Sequence, residues 1–167
     1  MTVPVPRQAE ERLVWLDYGQ FSLSGNLSLE ADYMALLERA VAGSGIAGDE
    51  HGLVVISPHQ NNFEMPFRVE QWNERPPDDA EEWEEVLEGS LLVVDGVLHY
   101  FSPTDAHVTF QVPSGRYAVR ISGRGFVNRG WPGSTTPGDR WRVQLWPGAD
   151  GVPERRVKRW GPPGIAE

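Results

Sequence analysis

Apolar and polar residues alternate with a period of two along much of this chain, a pattern that predicts strands half-buried in a sheet. Phe63, Met65, Phe67 and Val69 alternate with Glu64, Pro66, Arg68 and Glu70. Val108, Phe110 and Val112 alternate next, Pro113-Ser114-Gly115 turns the chain, and Tyr117, Val119 and Ile121 alternate again. Residues 91–94 and 97–101 flank Asp95-Gly96, a two-residue turn of the type I′ kind that joins antiparallel strands. Trp141, Val143 and Leu145 alternate with Arg140, Arg142 and Gln144 in a last strand. Residues 12–23, ending at Gly25-Asn26, predict a first strand, and the apolar run 53–57 before Pro58 predicts a short one. Pro66 lacks an N–H for the ladder, which puts its strand at an edge or at a bulge.

One segment has the period of a helix. Tyr33, Leu36, Leu37, Ala40 and Val41 recur at helical spacing, with Ser28 as cap, Glu30 and Asp32 in the first turn, and Gly43 as the stop. The predicted fold class is therefore mainly β: an antiparallel β-sandwich of about seven or eight strands with one or two helices packed at an end or face. Residues 12–146 read as a single domain. Residues 147–167, rich in proline, glycine and basic side chains, read as an extended tail without a core of its own.

With 167 residues the chain is long enough for one hydrophobic core. Having no cysteine, it lacks a disulfide scaffold, a thiolate metal site and a cysteine nucleophile. No apolar run is long enough to span a bilayer, and Pro4, Pro6 and the charges near them do not form a secretion signal, so the expected location is cytoplasmic, away from membranes. A formal net charge of -9 argues against direct nucleic-acid binding. The charge is also polarised: residues 1–115 carry 5 basic and 20 acidic side chains, or -15, and residues 116–167 carry 10 and 4, or +6.

Most of the formal net charge lies in residues 70–88, where nine carboxylates stand against Arg75 alone, or -8. Asp78 or Asp79 can cap a short helix over 80–87, with Trp83, Val86 and Leu87 on one side and carboxylates around the rest. Such a surface suits the cationic groove of a nuclease, which it would approach under electrostatic steering. The plainer readings are a solvated insertion between strands, or an acidic segment pairing within the molecule with Arg116, Arg120, Arg140 and Arg142, which share the polar parity of two strands.

Other chemistry is sparse. His99 and His107 fall on consecutive strands with Asp105 between them, so a metal or a His-Asp pair is conceivable, yet spacing supplies no third ligand and strand or turn histidines are the simpler reading. His59 opens the polar loop His59-Gln60-Asn61-Asn62. The Gly/Pro-rich loop 123–139 has no Gly-Lys-Ser/Thr signature of a phosphate cradle and no Gly-x-Ser-x-Gly elbow. Its arginines and Trp131 are residue types favoured in binding hot spots.

Residues 16–21, Leu-Asp-Tyr-Gly-Gln-Phe, resemble the Tyr-x-Gln-Phe opening of the competence protein J family, inhibitors of the bacterial DNA-entry nuclease. The following helix, the strands at 53–56 and 65–69, Asp95-Gly96-Val97-Leu98-His99 and the stretch 108–117 are similar to that family's succession of elements, so residues 13–122 are covered. The resemblance implies a small cytoplasmic protein that binds and blocks a nuclease without a cofactor. The acidic insertion 75–88 and the region after Gly123 depart from the family layout, and no inhibitory residue set carries over by position.

The leading expectation is thus a non-enzymatic inhibitor of a bacterial nuclease or toxin, of immunity-protein type. Asp78, Asp79, Glu81, Glu82, Trp83, Glu84, Glu85 and Glu88 would meet a basic protein partner. The alternative is a ligand- or partner-binding sandwich that uses Arg124, Arg129 and Trp131. No metal or cofactor is assigned, and self-association is left open.

Overall fold

The computed structural model describes residues 3–26, 32–49, 51–58, 63–104, 107–126, 138–148 and 153–161. Two sheets carry the fold. The first contains Gln8–Leu16 (β1), Phe63–Gln71 (β5), Glu85–Val93 (β6), Gly115–Arg124 (β9), Arg140–Pro147 (β10) and Arg155–Lys158 (β11). The second contains Gln20–Ser24 (β2), Ile46–Gly48 (β3), Gly52–Ile56 (β4), Val97–Phe101 (β7) and His107–Gln111 (β8). Their strand orders are β1-β5-β10-β9-β6-β11 and β3-β4-β2-β7-β8. One α-helix, Tyr33–Ala42 (α1), lies against β3 and β4.

The alternation that predicts the strands also builds the core. Val14, Leu16, Met65, Phe67, Ile121, Trp141 and Val143 face inward from the first sheet and meet Phe21, Leu23, Leu53, Leu98, Tyr100 and Phe110 of the second. Rings lock the centre: Phe21 packs edge-on to Phe67 at 5.5 Å and to Trp141 at 5.2 Å, and Phe67 meets Tyr100 at 4.9 Å. The sandwich is as expected, but the described residues supply eleven strands, more than seven or eight.

The differences have local causes. The first predicted strand is broken by a tight turn in which Tyr18 (φ 54°) and Gly19 (φ 64°) are both left-handed, so β1 and β2 enter different sheets. Buried Asp17 anchors that turn, accepting hydrogen bonds from the Ser102 hydroxyl and the Thr104 N–H. Pairing is not wholly antiparallel, because β10 runs parallel to β5. The helix is capped by Asp32, whose carboxylate accepts from the Ala35 N–H at 3.1 Å, whereas Ser28 and Glu30 lie outside the described residues.

Two corrections concern the charged segments. No α-helix forms over 80–87; a single 3-10 turn, Ala80–Glu82, is followed at once by β6. Within the segment read as a tail, β11 pairs with β6 and Trp160 is buried in the core. Basic β11 residues are drawn to that edge because β6 carries buried Glu85 and Glu88 there.

Candidate functional site

The outer face of the six-stranded sheet is polar, and strand register turns its polar residues into a ladder. Glu70 on β5 is paired in register with Gln144 on β10, Gln144 with Arg120 on β9, Arg120 with Glu88 on β6, and Glu88 with Arg155 on β11. Gln144 Nε2 donates to Glu70 Oε1 at 3.0 Å, Arg120 Nε to Gln144 Oε1 at 2.9 Å, and Arg155 Nε to Glu88 Oε1 at 2.9 Å. Glu70, Gln144, Arg120 and Glu88 are all buried, so each charge needs partners to offset its lost hydration.

The chain between β5 and β6, residues 72–84, crosses this ladder as a strap and buries it. Arg120 Nη2 donates to the carbonyls of Pro76 (3.2 Å) and Pro77 (2.9 Å). Arg75 reaches Glu88 Oε2 at 3.0 Å and lies over the Trp146 ring. Arg142 grips Asp79 with two parallel hydrogen bonds of 2.6 and 2.8 Å, the strong bidentate form of a guanidinium-carboxylate pair. Lys158 Nζ on β11 donates to the Ala80 carbonyl at 3.0 Å. Trp83 is buried, with the guanidinium carbons of Arg142 and Arg124 at 4.4 and 4.7 Å from its ring centre.

Most of the expected acidic surface is therefore internal structure. Burial pulls the Asp79 carboxyl upward, but the hydrogen bonds and charge of Arg142, with help from Arg120, outweigh it and hold Asp79 below its ordinary range. Glu88 is held by Arg75 and Arg155. Glu85 is buried against Arg156 and the Trp160 N–H, and there burial wins and raises its pKa. Glu84 Oε1 accepts from the N–H groups of Gly125 (2.6 Å) and Phe126 (3.2 Å), tying the strap to the end of β9. Trp83 is clamped between arginines and is not an exposed anchor.

What remains open is the strap's outer side. Glu74, Asp78, Glu81 and Glu82 are exposed and form no ion pair with a described residue. Asp78 Oδ1 accepts from the Ala80 N–H at 3.1 Å, which fixes the turn. Asp78, Asp79, Ala80, Glu81 and Glu82 line a shallow concavity of about 500 Å³. The internal-pairing reading of the acidic segment is thus correct for Asp79 with Arg142, whereas Arg116 and Arg140 stay exposed.

Of the alternative set, Arg124 stacks on Trp83 and donates to the Glu82 carbonyl at 3.3 Å, while Arg129 and Trp131 lie outside the described residues. Asp139 is buried and neither of its oxygens has a hydrogen-bond partner on another described residue; burial, with the nearby charge of Glu84, outweighs its own backbone N–H and pushes it up to about 7. His99 and His107 are brought together, Nδ1 to Nε2 at 3.0 Å, while Asp105 and His59 lie outside the described residues. Among the described residues no three His, Cys, Asp or Glu side chains are grouped to hold a metal. Sequence reasoning missed Arg75, Arg155 and Arg156 as clamps; the only available signal was the shared parity of Glu70, Gln144, Arg120 and Glu88, and that becomes meaningful only once the register is known.

No helix among the described residues is long and apolar enough to cross a membrane. No protein-family model and no curated protein sequence matches this chain. Its fold is similar to the crystal structure of ComJ, inhibitor of the DNA degrading activity of NucA, from Bacillus subtilis: 15% identity, TM-score 0.60, covering 87% of this chain and 99% of that one. It is also similar to the structure described as crocagin biosynthetic gene J, with 12% identity, TM-score 0.54, and 84% and 97% covered. The two-sheet sandwich is thus a ComJ-like fold, and the match extends along nearly the whole length of both solved proteins.

Proposed function

We propose that this chain is a protein-binding inhibitor whose partner is a nuclease or nuclease-type toxin, and that the outer side of the strap is its contact surface. One observation carries the reading: the strap's buried carboxylates are tied down by the chain's own arginines, while Glu74, Asp78, Glu81 and Glu82 face outward without a described counter-ion. A nuclease holds its substrate through a cationic groove, and a fixed row of carboxylates is complementary to that groove. Because Arg120, Arg142 and Lys158 hold the strap in place, little conformational freedom is lost on docking. The ComJ-like fold supports the same reading, since that protein inhibits a DNA-degrading enzyme.

The contact set is accordingly Asp78, Glu81 and Glu82, joined by Glu74. Asp79, Trp83, Glu84, Glu85 and Glu88 serve as its frame. Titration of the purified chain against a nuclease encoded beside its gene, with DNA degradation read at low and high salt, tests this. Inhibition should weaken as salt rises, and the Asp78→Lys, Glu81→Lys, Glu82→Lys triple variant should lose it while melting near the parent temperature. Full inhibition by the triple variant would overturn the reading.

A further inference from the structure

The second sheet carries a feature that the strap does not use. His99 on β7 and His107 on β8 are diagonal neighbours, since His99 pairs with Thr109 and Phe101 pairs with His107. Leu98, Tyr100 and Phe110 point into the core, so these histidines stand on the outer face of that sheet, on the far side of the molecule from the strap. His99 is buried, and its Nδ1 lies 3.0 Å from His107 Nε2. Its other nitrogen, Nε2, is buried without a hydrogen-bond partner among the described residues, and Asp95 Oδ2 lies 3.9 Å away.

The Asp95 carboxylate favours one tautomer. A lone pair on Nε2 would face the Asp95 carboxylate, whereas an N–H there is attracted to it, so the ring proton of His99 belongs on Nε2. Nδ1 is then an acceptor directed at His107, an arrangement in which a carboxylate behind one ring nitrogen leaves the other free to ligate. His107 lies at the solvent side and stacks on Phe101, with ring centroids 4.5 Å apart.

We infer that His99 Nδ1 and His107 Nε2 form a two-imidazole site for a late first-row divalent metal ion. At metal-nitrogen distances of about 2.05 Å, nitrogens 3.0 Å apart subtend about 94° at the metal. That is the cis angle of a tetragonal Cu²⁺ or Ni²⁺ site, and a tetrahedral Zn²⁺ site would need the nitrogens to open to about 3.3–3.4 Å. On binding, the ion takes the place of the hydrogen bond between the rings: the His107 ring proton moves from Nε2 to Nδ1, and both rings turn so that their lone pairs, which would otherwise point at one another along the former hydrogen bond, converge on the ion. No proton is released from the pair. With only two protein ligands, the remaining coordination positions are left to water and the affinity is moderate.

Calorimetric titration of the full chain with Ni²⁺ at neutral pH, paired with the electron paramagnetic resonance spectrum of the Cu²⁺-loaded chain, tests the assignment. One ion should bind per chain in the micromolar range, and the Cu²⁺ spectrum should show two equatorial nitrogens. His107→Gln, at an exposed position, should weaken binding at least tenfold and remove one nitrogen from the spectrum. His51→Gln, elsewhere in the same sheet's edge loop, should bind as the parent does. Absence of binding by the parent, or parental affinity in His107→Gln, would overturn the inference.

Discussion

Arg142 and Asp79 join through two parallel hydrogen bonds of 2.6 and 2.8 Å, and this fork pins a loop to a sheet 63 positions further along the chain. Removing one partner of a buried pair leaves the other charge uncompensated, at a cost of about 3–5 kcal/mol. Asp79 keeps some solvent contact, with 24% of its side chain exposed, so the cost here should be lower. Arg142→Ala also strips one guanidinium from the Trp83 ring. It should destabilise the fold by about 2–3 kcal/mol in urea unfolding and open residues 73–84 to limited proteolysis. An unchanged cleavage pattern would mean that the fork does not hold the strap.

Trp83 separates stability from binding. If it is part of the frame, Trp83→Ala should behave as a core truncation and cost about 3–5 kcal/mol. Unfolding in denaturant gives the answer. A variant as stable as the parent that had lost partner affinity would return Trp83 to the contact surface.

Glu88→Gln and Glu81→Gln remove the same charge from positions nine-tenths buried and exposed, respectively. Glu88 is shared by Arg75 and Arg155, so its neutralisation should lower the melting temperature by several degrees. Glu81→Gln should leave melting near the parent value and reduce the rate of partner association at low salt. Stopped-flow mixing at two ionic strengths, beside calorimetric melts, checks both halves.

Asp139 predicts a pH dependence. Its carboxyl has a raised value of about 7 in the folded protein against an ordinary 3.8, so the folded state favours the protonated form. Its contribution to stability is therefore fully present below about pH 4 and is lost as pH rises toward and through 7. Asp139→Asn keeps the shape without the charge. It should match the parent in acid and exceed it by up to about 4 kcal/mol at pH 8, read as the difference between two urea titrations. A constant difference across that range would remove Asp139 as the titrating group.

The strands were legible wherever one face of a segment is buried and the other wet. Met65, Phe67 and Val69, or Trp141, Val143 and Leu145, advertise their inward face by alternation alone, and Asp95-Gly96 marks a turn by its backbone demand. Tyr18 concealed a turn, because a tyrosine seldom takes a positive φ and nothing beside Gly19 signals one. The acidic segment was misread for a different reason. A glutamate in a sequence reads as solvated, and Glu85 and Glu88 are buried only because Arg75, Arg155 and Arg156 arrive from distant positions to meet them. Local pattern carries no information about such pairings. The same blindness hid β11, whose basic residues looked like a tail until β6 supplied their counter-charges.

Because Arg120, Arg142 and Lys158, which hold the strap, lie on β9, β10 and β11, they leave the ribosome after the strap itself. A nascent chain ending near residue 115 carries a net -15, and Glu88, with Arg75 already beside it in the chain, waits for its second partner, Arg155. Self-repulsion over that interval works against compaction of the first two-thirds, and the arginine-bearing last third supplies the opposite charge that offsets it.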